Sequence, residues 1–302
     1  MRLLVADLEP GARGWRTIEA DQRVTRLGEG LAASGRLAEA ARRRTVAAVS
    51  EYVARARRAA AERVAIVATS AVREAADGRE FAAMLERATG ERVTVVSGEE
   101  EAALTLAGVL GGLDDGPSPT ATLVFDVGGG STEYIVARDR TLVASVSLRL
   151  GVVDLAERYS FPGPVDWPRY RAMHAEIAAR LAAEVPEAIR GERPGRLVGT
   201  AGTATTLAAL DLGLAAYDPA RVQGHALGRA AVERQLARLG ALSVGARGAL
   251  PCLEPGRADL IVAGTAIVLA TMDLAGAGVL IVSDWGLREG IVLREGARSL
   301  TG

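Results

Sequence analysis

An α/β fold in two domains follows from three features of the sequence. The chain has 302 residues, more than the roughly 100–200 that one domain usually takes. Its first hundred residues run strand, strand, helix, strand, helix, strand, the pattern of a mixed sheet with helices packed on it. Near residue 121 a new set of strands begins, built on Ala121–Ala137, ATLVFDVGGGSTEYIVA.

That last stretch organises the rest. Leu123, Val124 and Phe125 lead to Asp126; Gly128, Gly129 and Gly130 follow; then Ser131, Thr132 and Glu133 open a second apolar run. β-Branched and aromatic residues on either side of glycines predict strand, turn, strand. A bare glycine turn is a hairpin with charges at its rim. With an acid before it and Ser, Thr and Glu after it, phosphate binding is the better reading. Glycine lets the backbone approach an anion and lines up its N–H groups, and an acid at a strand end can hold hydrated Mg²⁺ beside them.

The elements follow in chain order. Residues 2–7 and 15–27 are expected as strands joined by a turn at Glu9–Gly14. Val46, Val49, Val53, Ala56 and Ala60 recur by three and four, which predicts a helix from Leu37 to Ala61. Val64–Ala68 is a short buried strand ending in Thr69–Arg73; Phe81, Met84, Leu85 and Ala88 make a helix; Val93–Val96 is the next strand. Ser97 with Glu100 three residues on is a capping box, so a helix starts there and runs to Leu110. Glu99 and Glu100 are acids that suit any first helical turn. Glu101 sits one step further in, where the helix leaves a strand end and α/β sheets place ligands.

Leu113–Thr120 is a polar, turn-rich connector and the expected domain boundary. Beyond the glycine turn, Thr141–Leu150 is a third strand, ending at Arg149-Leu150-Gly151. A helix runs from Pro168 to Arg190, and Leu197-Val198 leads into Gly199–Thr206. This small-residue turn entering a helix is either a second phosphate contact, through Gly202 and Thr203, or a place of close helix–sheet packing. Helices at 228–240 and Arg257–Leu274, a strand at Val279–Val282 and a helix from Leu287 complete the chain.

Composition narrows the function. Net charge is −1, without the basic excess of a nucleic-acid binder. No apolar run is long enough to span a membrane and no signal-peptide core is present, so a cytoplasmic protein is expected. Cys252 is the one cysteine and the two histidines lie far apart, which argues against cysteine- or histidine-based metal sites. All 36 basic residues are arginine, so a Walker P-loop, which needs lysine, is excluded.

Taken together, VTRLGEGL (24–31), VATSAVREA (67–75), VVSGEEEAAL (95–104), FDVGGGSTEY (125–134), VGTAGTATTLAAL (198–210), PGRADLIVAGTAI (255–267) and VSDWGLREGI (282–291) resemble one family. It is the exopolyphosphatase and guanosine pentaphosphate phosphohydrolase family, within the actin/sugar-kinase/Hsp70-like (ribonuclease H-like) superfamily. The segments occur in the family's order. The resemblance implies a two-domain α/β fold with mixed sheets and an active site between the domains. Residues 1–116, completed by the C-terminal helix 287–302, would form one domain and 117–286 the other.

The resemblance also implies roles. Glu101 matches the catalytic glutamate that activates water. Asp126 and Glu133 match acids that hold Mg²⁺ or its waters, and Gly128, Gly129, Gly130 and Ser131 match a phosphate loop. Arg73 matches an arginine facing the phosphate. The implied reaction is release of terminal phosphate from inorganic polyphosphate, or of the 5′ phosphate from guanosine pentaphosphate, the alarmone of the stringent response. A homodimer with neither nucleic-acid nor membrane partners is expected. Two other classes stay open: a regulatory module that binds polyphosphate or alarmone without turning it over, and a sugar-kinase-like phosphotransferase.

The resemblance breaks at the start. Family members open with a strand and an Asp-x-Gly-(Thr/Ser)-Asn-Ser loop, whereas this chain opens at a strand like the family's second, and it contains no asparagine. The expectation is weak binding and slow turnover by residues 1–302, and restored activity in a chain extended upstream. Asp7, followed by Leu8-Glu9-Pro10, is expected to be structural.

Overall fold

In the computed structural model, which describes residues 1–8, 15–113 and 120–300 (297–300 as backbone alone), the chain divides into two compact units. One is Met1–Gly111 with Leu287–Gly302 and the other is Gly112–Gly286. The expected turn at Glu9–Gly14 and most of the Leu113–Thr120 connector lie outside the described residues.

The first unit opens with β1 (Arg2–Leu8) and β2 (Trp15–Gln22), an antiparallel hairpin with a register shift between Val5 and Ala6. Asp7 stands opposite Arg16 in that register and pairs with it, so Asp7 staples the hairpin. Then come α1 (Leu31–Ser34), α2 (Glu39–Arg58), β3 (Ile66–Ala68), α3 (Ser70–Glu74), α4 (Gly78–Thr89), β4 (Val93–Val95) and α5 (Gly98–Gly112). β3 and β4 pair in parallel.

Among the described residues these four strands form two separate ladders, not the single mixed sheet expected from their order. Helix α2 explains how both are stabilised. Its Val49 and Val53 join Ile66, Phe81, Leu85 and Val93 in one core, and its Tyr52 and Ala56 join Leu3 and Val5 in another. Each ladder thus buries its apolar face without bonding to the other. The helix is shorter than its periodicity predicts: Ala38 is extended (φ −62°, ψ 134°), so the first turn begins at Glu39, and Leu37 ahead of it gives its N–H to Asp77 at 3.0 Å. At the other end Ala60 takes φ 58° and the Ala61 N–H returns to Ala56 O at 3.0 Å, which closes the helix.

The second unit contains β5 (Thr122–Val127), β6 (Thr132–Arg138), β7 (Thr141–Leu148), α6 (Val152–Arg158), α7 (Trp167–Glu184), α8 (Glu187–Arg190), β8 (Arg196–Thr200), α9 (Ala201–Asp211), α10 (Pro219–Val222), β9 (Ala226–Gly228), α11 (Arg229–Gly240), α12 (Val244–Gly248), α13 (Ile261–Ala275) and β10 (Val279–Val282). Its sheet has the order β7-β6-β5-β8-β10-β9. An antiparallel meander from β7 to β5 continues in parallel through β8 and β10, and β9 closes the edge antiparallel. This is a mixed sheet, as the family resemblance implies. Helix α13 is apolar all round and buried along Ile261–Met272, as a core helix must be. Against it Tyr134 stacks on Phe125, 6.4 Å between ring centroids, and its hydroxyl meets Thr271 Oγ1 at 2.8 Å.

Two side chains lock this unit further. Arg247 is wholly buried and donates to the carbonyls of Leu239, Phe161 and Gly163, so three backbone acceptors take the place of an acid. Gln223 donates to Gly112 O (2.9 Å) and accepts from Asp284 N (2.7 Å), tying the first residue of the unit to its last turn. The chain then enters α14 (Leu287–Leu300) of the first unit. There Gly290 passes α5 so closely that a Cβ would lie 1.8 Å from Leu104 O, which requires glycine in the Arg-Glu-Gly stretch. Among the described residues no helix is long and apolar enough to cross a membrane.

Candidate active site

In the first unit two expected residues meet. Ser97 and Glu100 form the capping box reciprocally: Glu100 N–H donates to Ser97 Oγ at 3.1 Å, and Ser97 N–H to Glu100 Oε2 at 3.0 Å. This fixes where α5 begins and puts Glu101 on its first turn, 7% exposed. Arg73, from α3, donates through Nη1 to Glu101 Oε2 at 3.0 Å and to Val96 O at 2.9 Å. One guanidinium therefore binds the carboxylate and the end of β4 together. A buried carboxylate needs such a partner, because an unpaired one loses its hydration without return.

In the second unit strand pairing sets four polar residues abreast. Ser147 of β7 is opposite Glu133 of β6, Glu133 opposite Asp126 of β5, and Asp126 opposite Thr200 of β8. Cross-strand partners project to the same face, so the row shares one side of the sheet. Asp126 and Thr200 stand at the C-terminal ends of parallel strands, where α/β sheets hold ligands. Glu133 is 2% exposed, and its Oε1 accepts from Ser131 Oγ and Ser147 Oγ, both at 2.7 Å. Asp126 is half-buried.

The glycine turn closes this row. Gly128 N–H donates to Ser131 O at 2.9 Å, and Gly129 and Gly130 form the exposed tip. Gly128 and Gly129 both keep ordinary φ, so their use of glycine is a matter of space rather than conformation. The closest approach comes from Gly151, where a Cβ would fall 2.2 Å from Gly129 O. That approach lets Val152 and Val153, at the start of α6, donate to the carbonyls of Gly128 (3.2 Å) and Gly129 (3.0 Å). The carbonyls are thereby turned to α6, and the tip backbone stays open at the exposed edge.

At Gly199–Thr206 the two alternatives fall on different residues. Thr203 is buried, and a Cβ on Gly264 of α13 would lie 2.5 Å from its hydroxyl, which is helix packing. Gly202 instead lies under the Arg257 guanidinium, 1.8 Å from where its Cβ would be. Ala201 between strand and helix has φ 66°, a left-handed conformation that a non-glycine residue adopts only when its surroundings impose it. Thr200 Oγ1 donates to Trp285 O at 3.0 Å.

Sequence reasoning missed Ser147, Gly151 and Arg257. Ser147 had one visible signal, a serine breaking the apolar run of β7. Its partner became visible only with the β6–β7 register. Among the described residues no three His, Cys, Asp or Glu side chains gather as a metal cage. Two neighbouring carboxylates are nonetheless the donor set that Mg²⁺ takes when it keeps waters and binds substrate phosphate.

Residues 4–298 match the Ppx/GppA phosphatase family. The chain is 35% identical to exopolyphosphatase 2 of Mycobacterium tuberculosis, over 97% of this chain and 94% of that protein. It is similar to the crystal structure of the Aquifex aeolicus Ppx/GppA family member, with TM-score 0.79, 29% identity and coverage of 99% and 98% of the two chains. It also shares its fold with an exopolyphosphatase from Cytophaga hutchinsonii, TM-score 0.86 at 22% identity, covering 98% of each.

Proposed function

Because the chain belongs to the Ppx/GppA phosphatase family, we propose that it is a Mg²⁺-dependent exopolyphosphatase that removes the terminal phosphate of inorganic polyphosphate. The observation that carries this reading is the pairing of Asp126 with Glu133 beside the exposed Gly129–Gly130 tip. Similarity to a protein named exopolyphosphatase 2 puts polyphosphate ahead of guanosine pentaphosphate, whose 5′ phosphate is held by the same kind of bond.

Asp126 and Glu133 would hold the Mg²⁺, which when bound neutralises charge on the phosphoryl oxygens. The glycine tip offers backbone N–H groups to the same oxygens. Glu101 takes a proton from the attacking water as the water oxygen bonds to the terminal phosphorus. The bridging P–O bond breaks and the shortened polyphosphate leaves with the bond's electrons. Arg73 keeps the Glu101 carboxylate in place for this step through its 3.0 Å hydrogen bond. No covalent intermediate is needed, so neither histidine nor a reactive serine is required.

The test is a pair of variants. Glu101→Gln keeps the capping box and should lower turnover by roughly 10²–10⁴, the range for a positioned base. Glu100→Gln disturbs the cap and should cost far less activity, with ~1 kcal/mol lost from stability. Equal losses of activity in the two variants would move the base elsewhere.

A further inference from the structure

Glu133 is nearly as buried as any acid among the described residues, and its Oε1 is held by two hydroxyls. Ser131 lies two residues earlier, in the turn just before β6. Ser147 comes from the neighbouring strand β7, brought opposite Glu133 by register. We propose that Ser147 is a positioning residue for cation binding: its hydroxyl fixes the Glu133 carboxylate in the orientation that serves a divalent cation with Asp126. This inference rests on the reading of Asp126 and Glu133 as the cation's ligands.

A Glu side chain has three rotatable bonds, and one hydrogen bond to a single oxygen leaves the carboxylate plane able to swing. Two donors on Oε1 at 2.7 Å each, one from the turn before β6 and one from β7, narrow that freedom before any cation arrives. Both of these hydroxyl donors are neutral, whereas a guanidinium such as the one on Glu101 would compete with a cation for the carboxylate. Finally, residues that orient a metal ligand typically govern affinity by about 10–100-fold without touching the metal.

The experiment is equilibrium binding of Mn²⁺ alone to the full chain, read by electron paramagnetic resonance, alongside the thermal unfolding midpoint of each metal-free protein. The proteins are wild type, Glu133→Gln, Ser147→Ala and Ser147→Thr. Glu133→Gln should abolish the tight site. Ser147→Ala should weaken it roughly tenfold or more while the midpoint stays near wild type, and Ser147→Thr, which restores a hydroxyl, should recover it. Wild-type affinity in Ser147→Ala with loss in Glu133→Gln would overturn the role of Ser147 and leave the ligand assignment standing. Wild-type affinity in Glu133→Gln would overturn the ligand assignment itself. A Ser147→Ala protein that loses both affinity and midpoint, with neither recovered by threonine, would make Ser147 a folding residue only.

Discussion

Asp77 and Glu133 are two buried acids with different donors. Glu133 is served by hydroxyls, Asp77 by the Leu37 N–H at 3.0 Å and by the guanidiniums of Arg42 and Arg36 at 3.5 and 3.7 Å. The Leu37 hydrogen bond, ahead of the two arginines, holds the Asp77 carboxyl below the usual carboxylate range. A depressed folded-state value adds stability that is present above the unfolded value and is lost as pH falls through the folded one. Asp77→Asn keeps an oxygen for Leu37 and removes only the charge. The variant should therefore be less stable than wild type near pH 7, and the gap should close as pH falls below about 4, where the unfolded carboxylate itself protonates. Denaturant unfolding across that range checks it; a gap that widens in acid would reverse the sign of the argument. What the sequence conveyed at this scale was whatever lies within a few residues. Ser97 and Glu100 could be read as partners because they sit one turn apart, while Ser147 and Glu133 could not, because strand register decides their meeting.

Helix α2 makes the same point at the scale of elements. Its apolar stripe was legible in the 3.6-residue periodicity, and the buried face at Val49, Val53 and Ala56 lies where that periodicity puts it. Its ends were not legible, since the start is fixed by an extended Ala38 beside Leu37, whose N–H is held by Asp77 forty positions away in sequence. The other end is unusual, because Ala60 occupies the left-handed position that glycine normally fills after a helix. An L-residue with a side chain is disfavoured there by about 1–2 kcal/mol. Ala60→Gly should thus stabilise the protein by about 1 kcal/mol, after allowing for glycine's larger entropy loss on folding. A shift of the unfolding midpoint to lower denaturant would contradict this. The separation of the β1–β2 and β3–β4 ladders was likewise beyond an argument from element order, because order does not say which strands bond. A single helix with two buried faces removed the need for them to join.

For the whole molecule, the α/β class and the two-part organisation were visible in the alternation of strands and helices and in the second set of strands near residue 121. Part of the proposed site was legible. Asp126, Glu133 and the glycines announced themselves by type and spacing, and Glu101 by its place after a strand end. Gly151 and Arg257 did not, since each makes its contact only through folding. The central claim is that Asp126 and Glu133 serve a divalent cation in the hydrolysis of a terminal phosphoanhydride. The direct measurement is orthophosphate release from long-chain polyphosphate as Mg²⁺ is titrated, for wild type and Asp126→Asn. Wild type should release orthophosphate only with Mg²⁺ present, and Asp126→Asn should need roughly tenfold or more Mg²⁺ for half its maximal rate. Release that persists in excess chelator, or an unchanged Mg²⁺ requirement in Asp126→Asn, would contradict the claim.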